Sequence, residues 1–254
     1  MSHEDKIEAR VAELLREAKT AVAFTGAGVS TPSGIPDFRS PSSGLWETVD
    51  PFEVASIIGF RKNPSAFYEW VYPVAELILK AQPNPAHIAL AKLESAGYLQ
   101  GVITQNIDLL HRRAGSQMVC EVHGSLQQAT CWQCGTVHDV QPMLKKFLEN
   151  RMMPRCTVCH QIIKPDVVLF GEDLPMDVWR AAEMLIDRAD LVLVIGSSLE
   201  VYPAAGLPFK AVKNRAKLII IDKETTPADD HAAVVIHDDV AHVLPRVMTF
   251  LEAK

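Results

Sequence analysis

The chain has 254 residues and a formal net charge of −6, with 48% hydrophobic and 22% charged residues. This length suffices for one large domain or for a large and a small one. The acidic balance argues against a protein whose main task is to hold nucleic acid or an anionic membrane. Apolar runs such as Leu191–Ile195 are too short to span a bilayer, and the charged N-terminus does not resemble a secretory signal.

The predicted elements alternate between strands and helices along most of the chain. Helical spacing of apolar residues predicts a first helix over 4–19, and an apolar run predicts a buried strand over 21–24. Further strands are predicted at 101–104, 118–122, 166–170, 191–195 and 217–222. Further helices are predicted at 85–93, 108–113, 176–188 and 240–253. This alternation is typical of an α/β fold with a doubly wound, mostly parallel sheet and helices on both faces.

Two stretches interrupt this alternation. Residues 31–75 are rich in proline, serine and aromatic side chains, whereas 125–165 contain four of the five cysteines and little apolar periodicity. We expect these two stretches to form a smaller domain together, as a helical insertion and a metal-binding module. The larger domain would then consist of residues 1–30, 76–124 and 166–254.

Polar residues and glycines follow the predicted strands, at Gly26, Gln105, His123, Gly196 and Asp222. Ligands of doubly wound sheets bind at the carboxyl ends of the strands. We therefore expect these five positions to meet at one edge of the sheet and to form a binding site there.

The loop after the first strand suggests a nucleotide site. Gly26 and Gly28 would let backbone N–H groups approach a pyrophosphate closely, and a following helix N-terminus would add positive potential. The full dinucleotide fingerprint requires a third glycine where this chain has Thr31, so the glycines alone are a weak signal. Ser30 and the sequence Asp-Phe-Arg at 37–39 are unusual in a redox site and suggest a cofactor that is itself chemically attacked.

Two Cys-x-x-Cys pairs separated by 21 residues predict a tetrahedral zinc site. Its ligands would be Cys131, Cys134, Cys156 and Cys159. Four protein ligands close the site, so the zinc would be structural. His138 and His160 lie near enough in sequence to replace a cysteine. Cys120 is expected to be a buried core residue, and the cysteine usage favours a reducing, cytoplasmic location.

Six motifs together resemble the sirtuin family of NAD-dependent protein-lysine deacylases, over residues 21–240. They are Gly26-Ala27-Gly28-Val29-Ser30, Gly34-Ile35-Pro36-Asp37-Phe38-Arg39, Thr104-Gln105-Asn106-Ile107-Asp108, His123-Gly124, the two cysteine pairs, and Gly196-Ser197-Ser198-Leu199 with Pro203-Ala204-Ala205. The resemblance implies a Rossmann-like NAD-binding domain and transfer of an acyl group from lysine to ADP-ribose with release of nicotinamide. NAD would be the co-substrate, zinc one structural ion, and acylated proteins or peptides the partners.

The resemblance also implies roles for single residues. His123 would be the base that deprotonates a ribose hydroxyl, a task suited to imidazole near neutral pH, although a lone histidine is more often structural. Asn106 and Asp108 would complete the catalytic set, or simply cap the next helix. Phe38 would shield the reacting ribose from water, and Arg39 would contact the cofactor. The implied cofactor-binding residues are Gly26, Ala27, Gly28, Ser30, Thr31, Asp37, Phe38, Arg39, Gln105, Asn106, Ile107, Asp108, His123, Gly196, Ser197, Ser198, Asp222, Lys223 and Val240.

The segment 167–172 resembles the part of the family that pairs with the substrate backbone as an added strand. The implied substrate-binding residues are Val168, Leu169, Phe170, Gly171, Glu172, Glu200 and Val201. Read by itself, the beginning of this segment is a core strand.

Three positions depart from the family's common pattern. Asp222 replaces a frequent asparagine and would repel a 2′-phosphate, which favours NAD over NADP. Glu200 replaces an apolar residue and would select basic residues near the lysine. Val71 stands where desuccinylating relatives carry arginine, so a succinyl carboxylate would be buried unpaired. We therefore expect acetyl or longer neutral acyl groups to be preferred.

Two other functions remain open at this stage. An ADP-ribosyltransferase would use the same activated ribose with a different nucleophile. A non-catalytic NAD sensor or zinc-ribbon binding module is disfavoured by the intact set of His123, Asn106 and Asp108. The sequence does not indicate the oligomeric state or the protein substrates.

Overall fold

The computed structural model describes residues 3–37 and 50–253. Within these ranges the helices are α1 (His3–Glu17), α2 (Pro51–Val54), α3 (Ile57–Lys62), α4 (Pro64–Lys80), α5 (Pro85–Ser95), α6 (Leu110–Ala114), α7 (Val140–Asn150), α8 (Met176–Arg188), α9 (Gly206–Lys213) and α10 (Val240–Glu252). The strands are β1 (Ala21–Thr25), β2 (Val102–Thr104), β3 (Val119–Glu121), β4 (Gln128–Thr130), β5 (Val137–Asp139), β6 (Leu191–Ile195), β7 (Lys217–Ile221) and β8 (Val234–Ile236). None of the helices in the described ranges is both long and apolar enough to cross a bilayer.

Six of the described strands form one parallel sheet in the order β3-β2-β1-β6-β7-β8. The chain builds outwards from β1 in one direction and then returns to β6 and continues in the other. This is the strand order of a Rossmann-like, doubly wound sheet, and the predicted fold class is confirmed. The order reverses between β1 and β6, which pair from Ala21↔Leu191 to Thr25↔Ile195. Such a reversal opens a crevice at the carboxyl ends of the two strands.

The central strands are buried on both faces. Along β1, Ala21 and Ala23 pack into an apolar cluster with α1, α5 and α10, whereas Val22 packs on the opposite face with α8 and α9. All five residues of β1 and of β6 are buried. Full burial of a side chain such as Phe24 contributes about 1.5–3 kcal/mol, which is why an uninterrupted apolar run specifies a central parallel strand.

A second lobe has its own apolar cluster, which joins the helical insertion to the cysteine module. The rings of Phe60, Tyr68 and Phe147 pack edge to face across α3, α4 and α7. The Tyr68 hydroxyl donates to the carbonyl oxygen of Ile163. Helix α7 was not predicted, although its buried residues have helical spacing, because the cysteines dominate the pattern there. Helix α4 crosses the predicted domain limit at residue 75 without interruption, and the division into two domains stays a prediction.

The predicted strand at 166–170 is wrong. Val167 forms a single antiparallel bridge with Gly124, and Phe170 a single parallel bridge with Ser56. The segment pairs with a different partner at each end, so no continuous ladder forms. Strand β8 was not predicted because it is short and only half-buried.

Candidate active site

The loops that follow β1 and β6 touch each other at the reversal of the sheet. Gly28 donates its N–H to the carbonyl of Gly196 at 2.9 Å, and Gly26 donates to Ile195 at 3.2 Å. A Cβ on Gly196, where φ is +57°, would lie 2.3 Å from the backbone nitrogen of Val29. Glycine is required here because two backbones are in contact. The glycines thus allow a close approach between two neighbouring loops of the protein. The N–H groups of Gly26 and Gly28, which were expected to approach a pyrophosphate, already donate to carbonyls of the protein.

A polar cluster lies directly beneath these loops. The Asn106 side-chain amide donates to the carbonyl of Gly26 at 3.0 Å and to the Ser30 hydroxyl at 3.1 Å. The same hydroxyl donates to Asp108 Oδ2 at 2.7 Å. Four positions from two separate stretches of sequence are therefore joined by hydrogen bonds, because β1 and β2 are neighbours in the sheet.

Asp108 is buried, with 6% of its surface exposed. Burial raises the pKa of its carboxyl group above 3.8, and the hydrogen bonds from Ser30 and from the Leu110 N–H oppose this rise. The latter bond, 2.8 Å long, lies at the start of α6. The N-cap position of α6 is Leu109, without a side-chain capping bond, so Asp108 reaches the first N–H of the helix from one position further upstream. The second oxygen of Asp108 is bonded to Ser30.

His123 lies on the turn after β3, at the same edge of the sheet. Its Nδ1 is 3.2 Å from the carbonyl oxygen of Gln105. Burial lowers the pKa of this imidazole below 6.5, and the Gln105 carbonyl partly counteracts the shift. A neutral imidazole that donates from Nδ1 keeps Nε2 as a proton acceptor. The Gln105 side chain in turn donates to the Ser197 hydroxyl at 2.8 Å, which ties this turn to the loop after β6.

Two histidines behind the cluster were missed from the sequence. His111 Nε2 is 2.9 Å from the Thr25 hydroxyl, and the rings of His87 and His111 are 4.8 Å apart. His87 Nε2 lies 3.5 Å from the Ser30 hydroxyl. Burial lowers the pKa of both imidazoles, that of His87 to about 4. No local pattern could have identified them, because only the packing of α5 on α6 brings the two rings together.

Asp222 follows β7 on the far side of the reversal. Its carboxylate accepts the Glu224 N–H at 3.0 Å, and burial raises its pKa above 3.8. Lys223 pairs with Asp239 at 2.8 Å. Asp239 caps α10, whose first residue, Val240, is buried. These residues extend the edge occupied by Ser197 towards β7 and β8.

The remaining predicted cofactor residues lie around the first loop. Ala27 begins a short 3-10 helix, and the Thr31 hydroxyl donates to the Gly28 carbonyl at 3.1 Å. Ile107 packs against the apolar cluster of the second lobe. Ser198 Oγ is 3.5 Å from a carboxylate oxygen of Glu200, and Val201 is half-buried. Asp37 is the last described residue of its stretch, and the predicted roles of Phe38 and Arg39 lie outside the described residues.

The segment 167–172 connects the His123 turn to the helical insertion. Val168 donates its N–H to the carbonyl of His123 at 2.8 Å. Phe170 donates to the carbonyl of Ala55 at 2.9 Å and accepts from the N–H of Ile57 at 3.0 Å. The segment therefore lies where the two lobes meet, beside the candidate base; we refer to this junction as the cleft and to the segment as its wall.

Side chains alternate along this wall. Leu169 is buried in the second lobe, whereas Val168 is only half-buried. Gly171 has a φ of +84° and turns the chain. Glu172 then folds back, so that its Oε2 accepts from the Leu169 N–H at 2.9 Å and pairs with Lys164 at 3.0 Å.

The four paired cysteines lie together in the second lobe. Their sulfur atoms are all within 4.8 Å of one another, and two of the separations are 3.5 Å. Tetrahedral zinc with bonds of about 2.3 Å holds its sulfur ligands roughly 3.8 Å apart. The two Cys-x-x-Cys turns have the same backbone hydrogen bond: the Gly135 N–H donates to the Cys131 carbonyl, and the His160 N–H donates to the Cys156 carbonyl. The cluster therefore fits one zinc ion with four cysteine ligands. His138 Nε2 lies 3.3 Å from Cys156 Sγ and is adjacent to this set.

Comparison with known proteins identifies relatives over nearly the whole chain. The model of the Sir2 family matches residues 26–203. An Archaeoglobus fulgidus protein described as NAD-dependent protein deacylase 2 is 46% identical over 96% of this chain and 96% of its own length. A solved structure described as "Structural Basis for the Mechanism and Regulation of Sir2 Enzymes" is 45% identical, with a TM-score of 0.91 over 98% of both chains. Another, described as "Sir2-p53 peptide-NAD+", is 43% identical, with a TM-score of 0.86 over 94% of this chain and 96% of that one.

Proposed function

The chain belongs to the Sir2 family and is an NAD-dependent protein deacylase, and we propose that the groups gathered after β1, β2, β3 and β6 perform this reaction. The enzyme transfers an acyl group from a lysine to ADP-ribose and releases nicotinamide. The observation that supports the assignment of residues is a chain of hydrogen bonds at one edge of the sheet: His123 contacts the carbonyl of Gln105, whose side chain reaches Ser197 after β6. The next residue, Asn106, reaches Gly26 after β1.

His123 acts as the general base. Its Nδ1 proton is held by the Gln105 carbonyl, so Nε2 is the atom that takes a proton from a ribose hydroxyl of NAD. Burial lowers the pKa of the imidazole, so the basic form predominates at neutral pH. NAD would supply the ribose carbon from which the acyl oxygen of the substrate displaces nicotinamide, and the hydroxyl that His123 deprotonates would be the nucleophile towards the acyl carbon.

Asn106, Ser30 and Asp108 act as one unit that shapes the pocket for the nicotinamide ribose and carboxamide. Amide and hydroxyl groups both donate and accept, which suits a ligand with both kinds of polar atom. Ser30 fixes the amide of Asn106 through one bond and the carboxylate of Asp108 through another. Glycines and hydroxyls of the loop after β6, with Asp222 beyond them, bind the phosphates and the other ribose.

The substrate peptide pairs with the segment around Val168. Within the described part of the chain, the Val168 carbonyl accepts no hydrogen bond and the Gly171 N–H donates none. The N–H groups of residues 168–170, by contrast, are all bonded. Unpaired backbone groups at the wall of a cleft can form hydrogen bonds with the backbone of an added strand, and such bonds make little demand on the side chains of the bound peptide. We assign the Val168 carbonyl and the Gly171 N–H to this role. On the opposite wall, Glu200 and Val201 would contact the residues that flank the lysine.

Neutral acyl groups are the preferred substrates. Val71 packs against the apolar cluster of the second lobe, and the Tyr68 hydroxyl is bonded to the Ile163 carbonyl. A succinyl carboxylate near these residues would lose its hydration without gaining a cationic partner. Acetyl and longer unbranched apolar acyl groups bear no such charge.

The cysteine cluster holds one structural zinc ion. Zinc bound by four thiolates has no open position for catalysis, so its task is to stabilise the module that borders the cleft. The larger domain comprises residues 1–30, 76–124 and 166–254, and the smaller one 31–75 and 125–165. We also propose a cytoplasmic location. It is supported by the five cysteines of the chain, all of which are described and none of which forms a disulfide.

The deciding experiment is the release of nicotinamide from NAD with and without an acetyl-lysine peptide. We expect release to require the peptide and to yield free lysine in equal amount. Peptide-independent release, with stable transfer of label from NAD to protein, would favour an ADP-ribosyltransferase. Deacylation by a His123→Ala variant within a few-fold of the wild-type rate would contradict the role of this residue.

A further inference from the structure

Lys164 lies at the end of the zinc module and is held by three acceptors. Its ammonium is 3.0 Å from Glu172 Oε2, 2.9 Å from the Val167 carbonyl and 3.3 Å from the Pro165 carbonyl. The Lys164 and Glu172 side chains are only 15% and 24% exposed. A lysine ammonium has three N–H donors, and all three have acceptors here. This lysine is therefore part of the folded framework, unlike a solvated surface charge.

The same oxygen of Glu172 accepts the Leu169 N–H at 2.9 Å. The ion pair thus holds the peptide unit that joins Val168 to Leu169. In a trans peptide the N–H and the C=O point in opposite directions. A carboxylate that holds the N–H on one side therefore directs the Val168 carbonyl to the other side.

The peptide units on either side are also held. The Val167 carbonyl is bonded to Lys164, and the Val168 N–H to the carbonyl of His123. The Phe170 carbonyl accepts from Ile57. From the Val168 N–H to the Gly171 N–H, the backbone groups other than the two that the proposed function assigns to the substrate are all bonded within the described part of the chain.

We propose that Lys164 and Glu172 are positioning residues, whose ion pair orients the Val168 carbonyl towards the acyl-lysine substrate. The inference rests on the proposed function. It differs from the expectation of the sequence analysis that Glu172 binds the substrate, because the Glu172 carboxylate is bonded to Lys164 and to the Leu169 N–H and acts on the peptide only through them. The ion pair also connects the zinc module to this wall, since Lys164 follows Ile163 of the second lobe's core.

The test compares binding of the peptide with binding of NAD. Lys164→Met removes the ammonium and keeps most of the side-chain length, Lys164→Arg keeps the charge, and Glu172→Gln weakens the pair from the other side. Lys145→Met is the matched control, because Lys145 is an exposed lysine on α7 of the same module. For each variant we would measure the dissociation constant of an acetyl-lysine peptide by calorimetry, the KM values of peptide and NAD, and the melting temperature.

We expect Lys164→Met to weaken peptide binding about tenfold, the value of one charge-assisted hydrogen bond, with the KM of NAD unchanged within twofold. Lys164→Arg should restore most of the affinity, and the double variant Lys164→Met/Glu172→Gln should bind no more than about twofold worse than the weaker single variant. The proposal is wrong if Lys164→Met and Glu172→Gln bind the peptide as the wild type does. It is also wrong if the KM values of peptide and NAD rise together with a lowered melting temperature. Calorimetry needs no turnover, so a wild-type protein that binds the peptide without deacylating it would refute the proposed function and leave this test intact.

Discussion

Replacing Ser30 by alanine removes the atom that joins Asn106 to Asp108. The hydroxyl donates to the buried carboxylate at 2.7 Å and accepts from the Asn106 amide at 3.1 Å. Asp108 keeps the N–H of Leu110, and Asn106 keeps the carbonyl of Gly26. The loss is therefore one bond to a charged group, one neutral bond and the long contact of 3.5 Å to His87 Nε2, without a new large cavity.

A hydrogen bond to a charged group contributes about 1.5–3 kcal/mol, so we expect Ser30→Ala to lower the free energy of unfolding by about 2–3 kcal/mol. For a chain of this size that corresponds to a fall in melting temperature of roughly 4–12 °C. The penalty should depend on pH. The Ser30 hydroxyl lowers the pKa of Asp108 in the folded protein, so it stabilises the charged carboxylate. Loss of this hydroxyl should lower the free energy of unfolding most at pH values above the pKa of Asp108 and least at pH values below it.

The assay is urea denaturation at neutral pH and in mild acid, together with kcat/KM for NAD. Ser95→Ala is the control, because its exposed hydroxyl donates only to the Lys92 carbonyl, and its effect should stay within about 0.5 kcal/mol. We expect kcat/KM of Ser30→Ala to fall at least tenfold, since the Asn106 amide loses one of its two acceptors. A loss of stability below about 0.5 kcal/mol, or one that is equal at both pH values, would refute the reasoning about this cluster.

Four further outcomes are expected. His123→Ala should lower kcat/KM by about 10²–10⁴-fold. The rate of the wild-type enzyme should rise with pH and level off at a pKa below 6.5, since burial favours the neutral imidazole. A plateau reached only above pH 7.5 would contradict this. Gly196→Ala should destabilise the protein far more than Gly97→Ala. Both glycines have positive φ, but of the two only a Cβ at Gly196 would meet backbone atoms, at 2.3 Å. Equal losses of unfolding free energy in urea denaturation would show that the loop contact is unimportant. Metal analysis should find one zinc per chain, and its removal by a chelator should lower both the melting temperature and, indirectly, the activity; full activity in zinc-free protein would refute a structural zinc. Desuccinylation should be slower than deacetylation on the same peptide, because Val71 provides no cationic partner; the reverse order in a mass-spectrometric rate assay would overturn the acyl preference.

Local features of the sequence determined a large part of this protein. Uninterrupted apolar runs predicted β1 and β6 with their limits nearly as observed, because a strand buried on both faces is built mostly of apolar residues. The paired cysteines predicted the metal cluster, because chelating turns need ligands at fixed short spacing. Glycines and polar residues after the strands predicted the edge where the candidate site lies, because parallel strands all end on one side.

Tertiary structure alone decided how these pieces work together. The glycines after β1 and β6 face one another, and this contact depends on a pairing between strands that are far apart in the sequence. The buried rings of His87 and His111 meet through the packing of α5 on α6. The segment 166–170 has the composition of a strand, yet its hydrogen bonds go to a turn, a helical insertion and its own Glu172. Hydrogen bonds and burial between distant stretches depend on long-range packing, which local periodicity does not encode.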